Sequence, residues 1–248
     1  MPDIDMLTML VIAVAVLLTG ISKSGFAGAI GGITVPLMSL VISPALAAAL
    51  LLPILIIADV LSLRQWWGQQ SNQHLWLLVP AALLGIVVGY VSFGWLDENG
   101  LRLLLGVITL LFALNMLLKL VNQSHLTSAW AGRLLGALSG FTSFVAHAGG
   151  PPLNMFLLPQ HLPKAQYLAT AVVFFSAVNL LKLPPYILLG QLNTTLFVYA
   201  LLSLPLVWLG VKLGMVLQHN ISEQVFYKLI SISMLLLGLR LIYTALFS

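Results

Sequence analysis

Residues 20–36 read Gly20-Ile-Ser-Lys-Ser-Gly-Phe-Ala-Gly-Ala-Ile-Gly-Gly-Ile-Thr-Val-Pro36, inside an apolar run that covers residues 6–42. The stretch holds five glycines and a proline. Gly costs about 1 kcal/mol per helix position and Pro about 3, so a helix entering here is expected to break. At membrane depth a break frees N–H and C=O groups that lipid cannot satisfy, and it survives only packed in protein or lining a wet cavity. A second stretch of this kind follows more than 100 residues later: Gly136-Ala-Leu-Ser-Gly-Phe-Thr-Ser-Phe-Val-Ala-His-Ala-Gly-Gly-Pro-Pro152. Two broken apolar segments at corresponding places in two halves are a pointer to a transporter's binding site.

The composition agrees with a membrane chain. Of 248 residues, 60% are hydrophobic and 6% charged, and the mean hydropathy is +1.09. A soluble domain carries about 25% charge, and a surface with a quarter of that would not stay wet. Spans of about 20 residues each use up most of the length and leave no room for a soluble domain. The net charge of +4 comes from scattered basic residues rather than a patch, which argues against a nucleic-acid partner. Zero cysteines exclude disulfides, thiolate metal sites and Cys nucleophiles. No Walker motif and no H-x-x-x-H spacing is present, so neither an ATP drive nor a metal site is read here, and no cofactor is expected. No catalytic set emerges either, and the chain is read as a non-enzyme.

Ten apolar segments are expected, at 6–22, 28–42, 45–63, 75–94 and 101–119, then 131–146, 149–159, 165–183, 194–217 and 224–247. The first lacks a basic n-region and is expected to be a span rather than a signal peptide. Those beside the Gly-rich breaks are short for a crossing and can be half-helices of a re-entrant hairpin. With the N-terminus outside, Lys23, Arg64, Lys119, Arg133, Lys164, Lys212 and Lys228 fall on the cytoplasmic side. Asp3, Asp5, Asp97 and Glu98 fall outside, with Arg102, Lys182 and Arg240 as basic exceptions, which is the direction of the positive-inside rule. Trp66, Trp67, Trp76, Trp95 and Trp130 fall near span ends, as interfacial belts require, whereas Trp208 fits less well.

Further features repeat in order. Ser43-Pro44-Ala45 is matched by Leu162-Pro163-Lys164, and Leu96-Asp97-Glu98 by Ile221-Ser222-Glu223. Leu84-Gly85-Ile86-Val87-Val88-Gly89 is matched by Leu209-Gly210-Val211-Lys212-Leu213-Gly214, each with a small-xxx-small pair that allows close helix packing. The expected fold is therefore an all-α polytopic membrane protein with two inverted-topology repeats of about five segments, each starting with a broken or re-entrant Gly-rich helix. The repeats would be 1–122 and 123–248, divided in the polar connection at 120–130, as one transport unit.

The two Gly-rich motifs, each ending in Pro near the start of a half and followed by a short Pro-containing connection and a helix, resemble the sulfite exporter TauE/SafE family. The motifs are Gly25 to Pro36 and Gly140 to Pro152, and the resemblance covers nearly the whole chain. It implies an all-helical transporter in the bacterial cytoplasmic membrane that moves small sulfur-containing anions such as sulfite and organosulfonates. Ala29-Ile30 before Gly31-Gly32, and His147 in the second motif, depart from a purely Gly-rich pattern and bear on substrate choice.

A small anionic substrate needs donors and positive potential. Half-helix N-termini supply both. Gly28, Gly31, Gly32, Gly149 and Gly150 would let the substrate approach the backbone. Ser22, Ser24, Thr34, Ser139, Thr142 and Ser143 offer hydroxyls, although such side chains also serve only to bond a carbonyl one turn back. His147 is an ionisable group in an apolar segment, read as a pH-sensitive substrate or coupling residue, with a neutral His bonded to a carbonyl as the alternative. Lys23 either balances the anion or snorkels to a nearby surface. Asp59, matched by Asn179 in the second half, is either a proton-coupling site or the partner of a Lys or Arg. Asn154 is read as a contact or a cap, and Lys182, before Pro184-Pro185, as interfacial, with a role in drawing anions into an outer vestibule as the alternative. Fixed charge is thus expected from the first motif and the pH-sensitive contact from the second. The expected partners are the anion and the bilayer, with protons and a second copy of the chain left open. A passive channel, a carboxylate transporter and a membrane-embedded enzyme are the alternatives to a sulfur-anion carrier.

Overall fold

The structure, a computed structural model, describes residues 5–26, 28, 31–93, 95, 97–118, 126–220 and 223–247. Asp3, Leu96, Lys119, Ile221, Ser222, the departure at Ala29-Ile30 and the boundary at 122/123 lie outside the described residues. The described chain is helical, with no strand. In the first half α1 is Met6–Gly25, a 3-10 turn Gly31–Ile33 leads into the short α2 (Thr34–Met38), and α3 (Pro44–Trp66), α4 (Asn72–Phe93) and α5 (Glu98–Leu118) follow. In the second, α6 is Ala129–Ala146, α7 is Gly150–Leu157 with a 3-10 turn to Gln160, and α8 is Lys164–Leu188. The chain closes with α9 (Thr194–Leu202), α10 (Leu204–Asn220) and α11 (Glu223–Phe247).

Local chemistry explains the starts and stops. Ser43 takes the N-cap of α3, its hydroxyl accepting from the Leu46 N–H, while Pro44 sits at the first helical position where its missing N–H costs nothing. Ser128 and Asn193 cap α6 and α9 in the same way. Asp5 caps α1, and hydrogen bonds from the Thr8 side chain and backbone hold its carboxyl below the usual carboxylate range. Both Gly-rich stretches break as expected, but unequally. The segment expected at 28–42 is helical only over Thr34–Met38 and the preceding turn, whereas the second break is a sharp corner between α6 and α7. Four prolines, Pro53, Pro80, Pro184 and Pro185, stay inside helices. The segment expected at 194–217 is instead two helices bent by 52°. Pro205 lacks the N–H that would bond the Leu201 carbonyl, and the chain turns at Ser203.

Among the described residues, α1, α3, α4, α5 and α8 are long and apolar enough to cross a membrane, and the bent α9–α10 pair makes a sixth candidate. Trp67, Trp76, Trp95 and Trp130 are exposed beside span ends, and Trp208 is exposed within α10 with Lys212 Nζ 4.6 Å from its ring centroid. The chain is a polytopic membrane protein. α3 is apolar on every side and sits at the centre, against α1, α8, α9 and α10.

The helices pair across the two halves. α4 packs on α6, α10 on α1, α5 on α11, and α3 on α8. Glycines set the first two contacts. A Cβ on Gly85 would overlap the Ala137 carbonyl oxygen and one on Gly140 the Ala82 carbonyl oxygen, so α4 and α6 touch backbone to backbone. Gly20, Gly210 and Gly214 do the same for α1 and α10. Close approach through small residues is what holds helices together in lipid, where apolar burial gives no preference for a partner. Both small-xxx-small pairs read from the sequence, Gly85/Gly89 and Gly210/Gly214, lie in these contacts.

Candidate functional site

The two breaks meet in the middle of the protein. Gly31 lies against the His147 carbonyl and Gly32 against Ala148, so neither position has room for a side chain without a shift. Beside this contact a small cavity of about 20 Å³ has room for one water. It is lined by Thr19, Ser22, Lys23, Gly28, Gly31, Leu55, Ser143, His147, Phe175 and Asn179, drawn from α1, the first break, α3, α6, the second break and α8.

Helical spacing explains how this set forms. Thr19, Ser22 and Lys23 share one face of α1, and Ser139, Thr142 and Ser143 one face of α6. On α8, Phe175, Asn179, Lys182 and Tyr186 recur at intervals of four, three and four residues, a single buried stripe.

On one side of the cavity, Lys23 Nζ donates to Asp59 Oδ1 at 2.6 Å, and Asn179 Nδ2 donates to Asp59 Oδ2 at 2.6 Å. Both carboxylate oxygens are thereby occupied. Lys23 also stands 4.9 Å from the centroid of Phe175, a cation–π contact. Lys23 is only 6% exposed, so the snorkelling alternative does not hold. Asp59 is the ion-pair partner that the sequence left as one of two options.

On the other side stands Lys182, 0% exposed. Its Nζ donates to the Ser143 carbonyl and hydroxyl oxygens, each at 3.1 Å, and to His147 Nδ1 at 2.7 Å. His147 Nε2 lies 2.8 Å from the Ala48 carbonyl oxygen, which can only accept. Nε2 therefore carries the ring proton, and Nδ1 presents a lone pair to Lys182. The ring is aimed there by its backbone. His147 ends α6 in the left-handed region (φ 50°), its N–H bonding the Ser143 carbonyl while the Ala148 N–H bonds that of Thr142. This is the αL form of helix ending, usually made by Gly. A non-Gly residue there costs about 1–2 kcal/mol. Tyr186, one turn beyond Lys182, donates to the Phe144 carbonyl at 2.8 Å and stacks on His147.

The remaining residues singled out in the sequence divide into two groups. Ser22, Lys23, Gly28, Gly31, Ser143 and His147 line the cavity. Ser24 turns away and donates toward the Gly20 and Val211 carbonyls at the α10 contact. Thr34 bonds the Gly31 carbonyl, Ser139 the Gly149 carbonyl, and Thr142 lies within reach of those of Leu138 and Ala148. These hydroxyls hold the breaks in shape. Gly32 and Gly149 are packing positions, Gly150 begins α7, and Asn154 accepts from the Tyr167 hydroxyl at 2.7 Å. Gly28 and Gly31 donate their own N–H groups to the Ser22 and Gly28 carbonyls, so they open space rather than offer donors.

Ser22 is different. Its Oγ is buried and has no hydrogen-bond partner among the described residues. A buried hydroxyl left unsatisfied costs about 1–3 kcal/mol, and this one lines the cavity.

Lys182 is the residue the sequence reading misplaced. It was assigned to an interface because Pro184-Pro185 looked like the end of a span, but α8 runs through both prolines to Leu188. Neighbouring helices allow this in a membrane. The signal that would have found it is the 175–179–182–186 stripe.

Among known proteins, the family model for the sulfite exporter TauE/SafE matches residues 12–241. Nothing matches among curated proteins or solved structures.

Proposed function

The chain belongs to the sulfite exporter TauE/SafE family of membrane transporters, and from this premise we propose that it is a secondary transporter of a small anion, sulfite or an organosulfonate. It would work by alternating access in the bacterial cytoplasmic membrane, driven by a proton or substrate gradient. Membership of a transporter family fits a non-enzyme.

The observation that carries this reading is the unpartnered Ser22 hydroxyl facing a buried cavity between the two breaks, with Lys23, Ser143, His147 and Asn179 around it. A sulfur oxyanion presents several acceptors to the Ser22 and Ser143 hydroxyls that line the cavity. The cavity's size favours a carrier over the passive channel. Room for one water is too little for a sulfonate headgroup, so the breaks must part to admit it and close behind it.

Two inverted repeats, 1–122 and 123–248, give that motion a natural division. In support, exchanging the halves maps α1 on α6, α3 on α8, α4 on α10 and α5 on α11. The same exchange turns the α4–α6 contact into the α1–α10 contact and leaves α5–α11 and α3–α8 unchanged.

The test is uptake of radiolabelled sulfite and methanesulfonate into liposomes holding the purified protein. Saturable uptake, accelerated by unlabelled anion on the far side, is the expected result. Ser22→Ala should weaken it about tenfold, the worth of one hydrogen bond to a charged group, while the melting temperature holds or rises, because the unsatisfied hydroxyl is removed. Ser24→Ala should do the reverse, because Ser24 joins α1 to α10 and does not line the cavity. No uptake or binding of either sulfur oxyanion, together with stabilisation by acetate, would overturn the sulfur assignment.

A further inference from the structure

A second cavity, of about 320 Å³, lies between α1, α3 and the bent α9–α10 pair. Its walls include Ile12 and Val16 of α1, Leu50 and Ile54 of α3, and Leu196 and Leu202 of α9. Val16, Leu50 and Ile54 are buried. Met9 and Leu202, which also line it, are 56% and 70% exposed, so the cavity opens on the outer surface of the bundle. The Thr8 hydroxyl bonds Asp5, and the Ser203 hydroxyl donates to the Ala200 carbonyl. A buried water needs about two to four polar partners, and this wall offers too few.

The cavity is built into the sequence. The α1–α10 and α6–α4 contacts are alike, and both pairs run parallel. Gly20 meets Gly210 and Ser24 meets Gly214 in one, while Gly140 meets Ala82 and Phe144 meets Gly89 in the other. Followed back toward the helix starts, α4 stays on α6, with Leu77 against Gly132 and with Leu78 and Ala81 against Gly136. The α1 positions that match those two glycines, counted back from Gly20 as they are from Gly140, are Ile12 and Val16. Their branched side chains hold the partner helix off. Pro205 and Pro80 also match, counted back from Gly210 and Gly85, yet α4 runs straight on through Pro80 while α9 leaves the line of α10 by 52°. One half is sealed where the other is open.

An empty space of this size forfeits packing along its whole wall, and protein interiors hold few voids larger than a water. An apolar cavity of about 150 Å³ already takes up benzene, and this one is roughly twice as large. The helices around it are candidate spans, so through Met9 and Leu202 it is continuous with the surface that the bilayer covers. Thr8 lies in the first turn of α1, which places the mouth at the end of the span. From Thr8 to Val16 the wall runs about 12 Å along the helix.

We propose that this cavity is a lipid site, taking one acyl chain of a phospholipid from the leaflet in which α1 begins. The chain enters past Met9 and Leu202 and reaches Val16 and Ile54, within a turn of Thr19 and Leu55 in the wall of the central cavity. Its gain over bulk lipid is packing against a wall that would otherwise face a void.

The test uses the full chain extracted from phosphatidylglycerol-containing liposomes and stripped in detergent, with retained phospholipid counted by native mass spectrometry. Wild type should keep a phospholipid that Ala13→Phe loses, because the added ring fills the cavity from α1. In lipid-free detergent Ala13→Phe should melt about 2–4 °C above wild type, the shift expected of a modest packing gain in a chain of this size. Adding phosphatidylglycerol back should raise the melting temperature of wild type and leave that of the variant unchanged. Val88→Phe, on the exposed face of α4, should match wild type in both measurements. Equal retention by wild type and Ala13→Phe would overturn the site. Loss of the retained lipid to octanesulfonate but not to octyl glucoside would give the cavity to a substrate's tail instead. A wild-type dimer that Ala13→Phe dissociates would give it to a second copy of the chain, and either result sinks the lipid assignment. Should Ala13→Phe fail to fold, the smaller Ala13→Leu carries the same comparison.

Discussion

Asp59→Ala is expected to destabilise the protein by about 3–5 kcal/mol, because it strands the Lys23 ammonium in the interior. Lys23 Nζ has its 2.6 Å partner in Asp59 and a weaker contact with the Phe175 face. Asn179 loses its acceptor at the same time. The loss should be largely recovered in Lys23→Met/Asp59→Leu, since replacing a buried pair by apolar groups is often neutral or stabilising. Thermal melts of wild type, Lys23→Met, Asp59→Leu and Lys23→Met/Asp59→Leu in one detergent form the cycle that isolates the pair. An Asp59→Ala protein that melts with wild type would show that the carboxylate does not carry the ion pair.

The second large effect concerns helix packing. Gly140→Ala places a methyl group on the Ala82 carbonyl oxygen, and the neighbour is helix backbone rather than a side chain that can rotate away. Only separation of α4 from α6 relieves the overlap. The expected cost is at the upper end of the range for overpacking, about 3 kcal/mol. Gly136→Ala, one turn earlier, meets Ala81 Cβ and the Leu78 carbonyl at 3.1 Å, a contact that a small shift relieves. Melting temperatures should therefore fall in the order wild type, Gly136→Ala, Gly140→Ala. The reverse order would mean that the two helices do not touch at Gly140.

Much of the fold was legible because lipid makes local composition decisive. An apolar run must be a helix when no water can satisfy its backbone, and a Gly-rich run with Pro must break. The starts at Ser43-Pro44 and Ser128 follow from capping chemistry within a few residues. The bend at Ser203 beside Pro205 was missed, the sequence reading having expected one segment at 194–217, and Pro184 and Pro185 lie unbroken inside α8. Proline alone does not tell these cases apart, because the packing around the helix decides which prolines bend it.

The site was legible as a set of candidates and illegible as an arrangement. Ser22 and Ser24 are two residues apart on one short stretch, but α1 turns one toward the cavity and the other toward α10. Thr142 and Ser143 are adjacent and divide in the same way. The first motif was expected to supply the fixed charge, and it does contain Lys23. Asp59 cancels that charge, and the buried lysine without a carboxylate partner is Lys182, outside both motifs.

The breaks at 20–36 and 136–152, the family and the membrane class were thus determined by the sequence alone, through composition and order. Which ionisable groups are paired was decided by the tertiary structure. Lys23 reaches across 36 residues to Asp59, Asn179 across 120 to the same carboxylate, and Lys182 across 35 to His147. A buried charge takes its energy from what lies within a few ångströms, and only the packing of α1, α3, α6 and α8 brings these groups that close.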